Sequence, residues 1–376
     1  MLVPGVRPGF HVPHFLPRFL LGITAVTATL AAWAIIAPSH ISNEAQYGDT
    51  TVRPAAVHSV AFAVARDGMD HIYVRRFDAE TPRSAREVAR FPISFNNLHV
   101  QGTAAPTADR LAILSAADAG SPYARMTLIP LPAGTLQDVK AEFDYLSRLA
   151  WSPDGLRVAG ARSARTDESS RNHVDVIEVD ARSVATTVVA QFDNVFAAAP
   201  VGYSLDGARL FVVVIDQSGS TLWVARDGRL RKQAMLSPGR TRDWSLSPDG
   251  SRLAYVDVLG AGQRTYAGRT LMVATGAITD SSASGNQLGP VWEPGSQIPV
   301  FGGPGGSVEF TSGASDSAYI VPASWSPDGS TLVATIYSAS SDRTGSPKES
   351  VELVSPQHRV PLAEDDSARF LGWVVD

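Results

Sequence analysis

Residue types capable of chemistry are present in this chain, but their spacing does not assemble a site. Its eight histidines are His11, His14, His40, His58, His71, His99, His173 and His358, and none belongs to a His-Glu-x-x-His pair. Four of them (His58, His71, His99 and His173) fall in expected strands, where a histidine satisfied by its neighbours is the ordinary case. Ser204 lies in Gly202-Tyr203-Ser204-Leu205-Asp206, which lacks the second glycine of the G-x-S-x-G turn that presents a serine nucleophile. Asp154, Asp206, Asp249 and Asp328 each precede a glycine. They lack the alternating Asp/Asn of a calcium loop, and turn formation accounts for them. The glycine-rich stretch at 302–306 has no Lys-Ser/Thr after it to hold a phosphate. No catalytic, cofactor-binding or metal-binding residue is assigned on this basis, and no cofactor is expected.

The same aspartates reveal the elements around them. Trp151-Ser152-Pro153-Asp154-Gly155 recurs as Tyr203-Ser204-Leu205-Asp206-Gly207, Ser247-Pro248-Asp249-Gly250 and Trp325-Ser326-Pro327-Asp328-Gly329. Decayed copies surround Pro106 and Pro294. The third residues (106, 153, 205, 248, 294 and 327) are spaced by 47, 52, 43, 46 and 33. A period of about 40–50 residues is the signature of a propeller blade of four short strands. Proline fixes φ at the first turn position, aspartate bonds back to nearby N–H groups and glycine accepts positive φ. Apolar runs flank each copy, such as Leu149-Ala150-Trp151 before the turn and residues 156–161, 208–214, 252–258 and 331–337 after it. The pentapeptide is therefore the corner between a blade's first two strands, with Trp151, Tyr203 and Trp325 wedged between neighbouring blades. The Arg-Asp-Gly triplets at 66–68 and 226–228 read as hairpin turns.

This pattern predicts an all-β chain forming a single β-propeller of seven four-stranded blades. Six is the alternative if the weak Pro294 unit is an insertion. Residues from 58 look like the second and third strands of a first blade without its corner. Residues 368–376 resemble the strand that precedes a corner, so the C-terminal strand is expected to complete the first blade and close the ring.

Before the repeats, residues 19–37 form an uncharged apolar run. As a helix they would span about 28 Å, close to the roughly 30 Å of a bilayer's hydrocarbon. Arg7 and Arg18 precede the run and Glu44 and Asp49 follow it, which keeps the N-terminus cytoplasmic and places the bulk of the chain outside. A cleaved signal peptide is the competing reading, but its apolar region usually has about 7–15 residues, and Ile35 disfavours a cut after Ala37. The expected organisation is a cytoplasmic tail (1–18), a transmembrane signal-anchor (19–37), a linker (38–57) and a propeller (58–376).

Composition narrows the partners. The 376 residues include no cysteine, excluding disulfides, thiolate metal sites and a lipid-bearing N-terminal cysteine. Net charge is −5 and the basic residues form no stripe, so nucleic acid is not expected as a partner.

The pentapeptides at 151–155, 247–250 and 325–329, with the stretch 65–78, resemble the TolB-type propeller family and its WD40-like (PD40) repeat. The resemblance covers roughly residues 55–376 and implies a TolB-like propeller that binds proteins. TolB proteins carry an α/β domain before the propeller, and the 20 residues of 38–57 are too few for one. The expected function is a protein-interaction scaffold: a single-pass cell-membrane protein whose extracytoplasmic propeller binds unidentified envelope or membrane proteins. The alternative is a lyase, hydrolase or glycan-binding protein with a site in the central channel. The side chains lining that channel separate the two.

Overall fold

Each pentapeptide folds into the same hydrogen-bonded corner in the computed structural model. It describes residues 59–76, 85–94, 98–117, 121, 123–132, 134–165, 172–260, 265–281, 285–304, 319–338, 348–355, 358–363 and 368–375. The expected tail, anchor, linker and His58 lie outside these residues. Among the described residues, no helix is long and apolar enough to cross a membrane.

Every described element is a strand. β1 (Ser59–Arg66), β2 (Met69–Arg76) and β3 (Arg86–Pro92) belong to blade 1. Blade 2 holds β4 (Gln101–Ala104), β5 (Arg110–Ala116), β6 (Tyr123–Pro130) and β7 (Gln137–Asp144). Blade 3 holds β8 (Ala150–Trp151), β9 (Arg157–Arg165), β10 (Asn172–Asp180) and β11 (Thr186–Asp193). Blade 4 holds β12 (Ala197–Tyr203), β13 (Leu210–Asp216), β14 (Gly219–Arg226) and β15 (Arg229–Ser237). Blade 5 holds β16 (Arg240–Leu246), β17 (Arg252–Leu259), β18 (Thr265–Met272) and β19 (Ile278–Asp280). A two-stranded sheet of β20 (Leu288–Trp292) and β21 (Pro299–Gly302) follows. Blade 6 holds β22 (Tyr319–Trp325), β23 (Leu332–Ser338), β24 (Lys348–Val354) and β25 (Arg359–Pro361). The last strand, β26 (Arg369–Val374), pairs antiparallel with β1 and completes blade 1.

The described residues thus form six four-stranded blades, the alternative count, and the expectation of seven is corrected. The Pro294 unit supplies only β20 and β21 there. Its 33-residue interval is short for a blade of about 40–45 residues. Glycine and proline, which fill its sequence at 302–306, are poor strand formers. The small sheet is nonetheless packed on both sides. Trp292 and Phe301 meet Ala254 and Val256 of blade 5, while Val291 meets Ile320, Leu332 and Ala334 of blade 6.

The core lies between blades rather than at the centre. In β5, Leu111 and Ile113 face blade 1 while Ala112 and Leu114 face blade 3. In β13, Val212 and Val214 face blade 3 while Phe211 and Val213 face blade 5. Strands buried on both faces read as continuous apolar runs because alternate side chains serve different interfaces. Trp151 packs with blade 2, Tyr203 with blade 3 and Trp325 with β20, as their wedge role predicts. Trp151 Nε1 also donates to the Thr103 carbonyl (3.2 Å), and Trp292 Nε1 to that of Ser245 (3.0 Å).

Within a corner the serine is the hub, a role the sequence reading overlooked. Ser247 Oγ donates to Asp249 (2.5 Å) and accepts from the Arg252 N–H (2.9 Å), while the Gly250 N–H bonds to the Ser247 carbonyl (2.8 Å). Ser152, Ser204 and Ser326 repeat the arrangement. Gly155, Gly207, Gly250 and Gly329 take φ of 66–73°. In the decayed corner near Pro106 that left-handed position falls to Ala108, at φ 59°. Arginines just after three corners tie adjacent blades: Arg157 donates to the Gly207 carbonyl (2.7 Å), Arg252 to that of Gln297 (2.7 Å) and Arg110 to that of Ala181 (3.1 Å). The Arg-Asp-Gly hairpins also form as expected, with Asp67, Gly68, Asp227 and Gly228 all at positive φ.

The corner aspartates all titrate below the usual carboxylate range. For Asp206 and Asp328 the serine hydrogen bond is the largest cause. For Asp154 and Asp249 burial pushes upward but is outweighed by the serine and backbone N–H bonds. Their folded pKa lies below the unfolded value of about 3.9, so their contribution is complete above that pH and lost as pH falls through the folded values. Thermal melts from pH 7 to pH 2 should therefore show a melting temperature that declines below about pH 4. Ser247→Ala, which strands the Arg252 N–H, should cost about 1–3 kcal/mol in denaturant unfolding. Ala108→Gly should add about 0.5–1 kcal/mol by relieving left-handed strain.

Candidate functional site

The innermost strands β26, β4, β8, β12, β16, β20 and β22 run from one mouth of a central channel to the corners at the other. Two adjoining cavities occupy it. The one toward the corners, about 550 Å³, is walled by β4, residues 147–149, the end of β22 and β26. The one at the opposite mouth, about 400 Å³, is walled by the starts of β16, β20 and β22, with Tyr337. Arg148 and Ala323 line both.

Small residues dominate the corner half: Gly102, Ala104, Ala105, Ala108, Ala323 and Gly372. Its hydroxyls are already engaged. Ser147 Oγ accepts from the Ala161 N–H (2.7 Å), and Ser324 Oγ donates to the Trp325 carbonyl (3.1 Å). Trp325 Nε1 and Trp373 Nε1 are buried without a hydrogen-bond partner.

Charge gathers at the other mouth, in Arg148, Arg242 and Asp243. Asp243 adopts φ 51° at an irregularity in the β16–β17 register. That conformation turns one oxygen to Arg242 Nε (3.0 Å) and the other to the Gly289 N–H (3.3 Å). Arg242 also lies over the Tyr266 ring, 5.7 Å from its centroid. Tyr319 and Tyr337 stack at 4.8 Å beside them.

Arg148 is left alone. Among the described residues no carboxylate pairs with it, and its side chain is exposed to the channel. Loss of hydration there lowers its pKa, and the attraction of Asp243 opposes that only in part. Its backbone, by contrast, is fixed. The Ser147 N–H closes a turn on the Asp144 carbonyl (2.9 Å), and Asp144 holds the Ser163 N–H and hydroxyl (2.8 and 2.6 Å). Tyr145 donates its hydroxyl to the His99 carbonyl, and burial raises its pKa to about 12.

The residues weighed at the outset lie elsewhere. Ser204 is a corner hub bonded to Asp206. His71 pairs with Glu87, and His173 with Asp193 and Asp175. His99 precedes β4 instead of lying in a strand, because its ring is drawn to Asp70 (3.0 Å). No group of three potential metal ligands occurs among the described residues. Residues 302–304 of the glycine-rich stretch end β21 and the turn after it.

Sequence reasoning missed Arg148 and Asp243, yet a signal existed. Superimposing the repeats puts Gln101, Arg148, Pro200, Asp243, Gly289 and Pro322 at one position, three residues before the motif's aromatic or its substitute. All but Pro200 line the channel.

The fold and its channel define the chain as a β-propeller. No protein-family model matches it, and no curated protein matches its sequence. Solved structures similar to it include a propeller domain. The β-propeller domain of the trilobed protease from Pyrococcus furiosus is 12% identical with a TM-score of 0.54, over 83% of this chain and 95% of that one. That domain has an open velcro topology, whereas here β26 pairs with β1. The acylaminoacyl peptidase of Pyrococcus horikoshii is 11% identical with a TM-score of 0.54, over 83% of this chain and 51% of that one. TolB from Acinetobacter baumannii is 14% identical with a TM-score of 0.49, over 84% of this chain and 66% of that one. The chain thus spans about two thirds of the TolB chain and half of the peptidase. At these identities the likeness is one of fold, and the propeller reading of the pentapeptides agrees with it.

An arginine without partners contributes little to stability. Arg148→Met should therefore leave the melting temperature unchanged or raise it. Asp70→Asn should do the opposite. Asp70 is fully buried, and accepts from the Val100 N–H (2.7 Å) and from Arg369 of the closing strand as well as from His99. Its loss should cost about 2–4 kcal/mol in the same melts.

Proposed function

We propose that this protein is a membrane-tethered, extracytoplasmic propeller that serves a bacterial cell envelope as a protein-binding scaffold. The observation that carries this reading is the channel wall. Propeller enzymes need titratable groups converging on one point, and general acid–base work needs a donor and an acceptor within reach of one substrate atom. Here the corner half is walled by small residues whose hydroxyls are engaged. Among the described residues the one carboxylate at the mouth, Asp243, is committed to Arg242 and a backbone N–H. Such a surface can bind but is poorly equipped to move protons. The tether and its direction are supported by the apolar run 19–37 and its basic N-terminal flank.

A second reading, a channel that binds or processes a small molecule or glycan, is favoured by the volume of the cavity and by the free charge of Arg148. Two measurements on the full chain separate the readings. Protease added to intact cells should digest the propeller, and in-cell crosslinking followed by membrane solubilisation should recover a specific envelope protein. A propeller protected in intact cells overturns the proposed orientation. Crosslinking that yields no specific protein overturns the scaffold.

A further inference from the structure

We propose that the corner end of blade 4 docks on an anionic phospholipid membrane, so that the propeller turns its corner face to the bilayer and its channel mouth away. This deepens the membrane-tethered reading and rests on it.

The charge of an outermost strand is the first ground. Residues 226–232, the hairpin before β15 and the strand's first half, read Arg-Asp-Gly-Arg-Leu-Arg-Lys and are exposed throughout. Asp227 is taken by Arg226 (3.4 Å), and Asp206 of the adjoining corner by Ser204 and the Ala208 N–H. Arg231 reaches the Gln233 side-chain oxygen and Arg209 lies over the Phe211 ring. Among the described residues no carboxylate pairs with Arg209, Arg229, Arg231 or Lys232. Charge on an edge strand can simply guard against stray pairing, but the other outer strands are not treated this way. β7 mixes Lys140 with three acids, β3 offsets two arginines with Glu87, and β11 and β19 have no basic residue. In β25, Arg359 is paired to Glu352. β15 gathers three cations and no acid, in a chain of net charge −5.

Apolar side chains at the same end of the blade are the second ground. The third position of the corner is proline at 106, 153, 248, 294 and 327, but Leu205 in blade 4. Turn chemistry favours proline there. Leu205 is 59% exposed and packs in no buried cluster, and Leu230 is exposed among the cations. Apolar side chains set among Lys and Arg suit the headgroup region of an anionic bilayer, where burial and charge attraction act together.

The point at which the chain enters the propeller selects a bilayer over an acidic protein. β1 starts at the corner face: Ser59 pairs with Val374, and the Val375 N–H bonds to the Ala108 carbonyl of the blade 2 corner. A tether ahead of Ser59 therefore attaches at that face. Blade 4 lies on the far side of the ring from blade 1, since blades 2 and 3 intervene one way and blades 5 and 6 the other. A few cations bind an anionic surface weakly, and a tether makes weak binding effective by raising local concentration.

The test exploits the absence of cysteine, which lets one fluorophore be placed at a chosen site. The full chain is reconstituted in nanodiscs containing nitroxide-labelled lipid, made of phosphatidylcholine alone or with phosphatidylglycerol. The fluorophore is carried by Ala208→Cys at the corner face or by Leu146→Cys, just after β7 at the mouth face, both exposed positions. The expected result is about twofold or greater excess quenching of the Ala208→Cys probe in anionic over neutral discs, lost in high salt. The Leu146→Cys probe should stay bright in both. Replacing Arg229, Arg231 and Lys232 together with Gln should lower quenching to the neutral-disc level at an unchanged melting temperature. Replacing both arginines with Lys should preserve it. The inference is overturned if the Ala208→Cys probe responds equally to both lipids, if the triple Gln variant behaves like wild type, or if the Leu146→Cys probe is quenched instead. It is overturned too if polyphosphate or poly-glutamate binds through these three residues while anionic discs leave the Ala208→Cys probe bright. Failure of the tether is read separately. A chain that leaves the discs in high salt overturns the tethered reading, whereas one that stays with a bright Ala208→Cys probe overturns the docking surface alone.

Discussion

The middle strands of these blades are apolar on both faces, so no blade can bury itself. β5 gives Leu111 and Ile113 to one neighbour and Ala112 and Leu114 to the other, and β17 likewise divides Leu253 and Tyr255 from Ala254 and Val256. Each sheet therefore needs a sheet on either side, and a row of such sheets has no stable end until it closes. Closure falls to β26, which joins β1 in sequence-distant pairing and brings Arg369 to the buried Asp70. The two-stranded sheet obeys the same rule, since its Trp292 and Val291 are covered by the blades on either side.

Within that ring the corner is a spacer that builds itself. Serine, aspartate and glycine satisfy one another and the adjacent N–H groups, so the turn needs nothing from the channel or the outer strands. The following arginine then reaches the next blade's backbone. Because the corner handles geometry locally, the start of each inner strand is released from structural duty. That freedom explains why the position three residues before the aromatic can be glutamine, arginine, aspartate, glycine or proline, while the wedge beside it stays large and apolar at Trp151, Tyr203, Trp292 and Trp325. Architecture and recognition occupy adjacent residues with different constraints.

The electrostatics divide the same way. Ion pairs at Asp70, Asp257 and Glu352 knit strands within blades. At the channel mouth the pairing is deliberately incomplete: Arg242 and Asp243 neutralise each other and Arg148 faces water. A protein of net charge −5 thus holds a local positive centre where its inner strands begin, and a cavity of about 400 Å³ lies over it.

Much of the fold was legible in the amino acids alone. The spacing of Pro153, Pro248 and Pro327, the alternating runs after them and the corner-less C-terminal strand were enough for a propeller closed by its last segment, because turn chemistry and strand period are local properties. Among the described residues the Pro294 unit has two strands where four were expected, since how far a short, glycine-rich unit extends a sheet depends on neighbours the sequence does not name. The hub role of Ser152, Ser204, Ser247 and Ser326 was within reach but hidden behind the more familiar Pro-Asp-Gly. The channel was not legible: Arg148 and Asp243 lie 95 residues apart, and only the closing of the ring sets both at one mouth and leaves one of them unpaired. Local backbone preferences decide what each stretch becomes. Which charges then share a cavity depends on how sheets stack around an axis, and that is a property of the assembled ring.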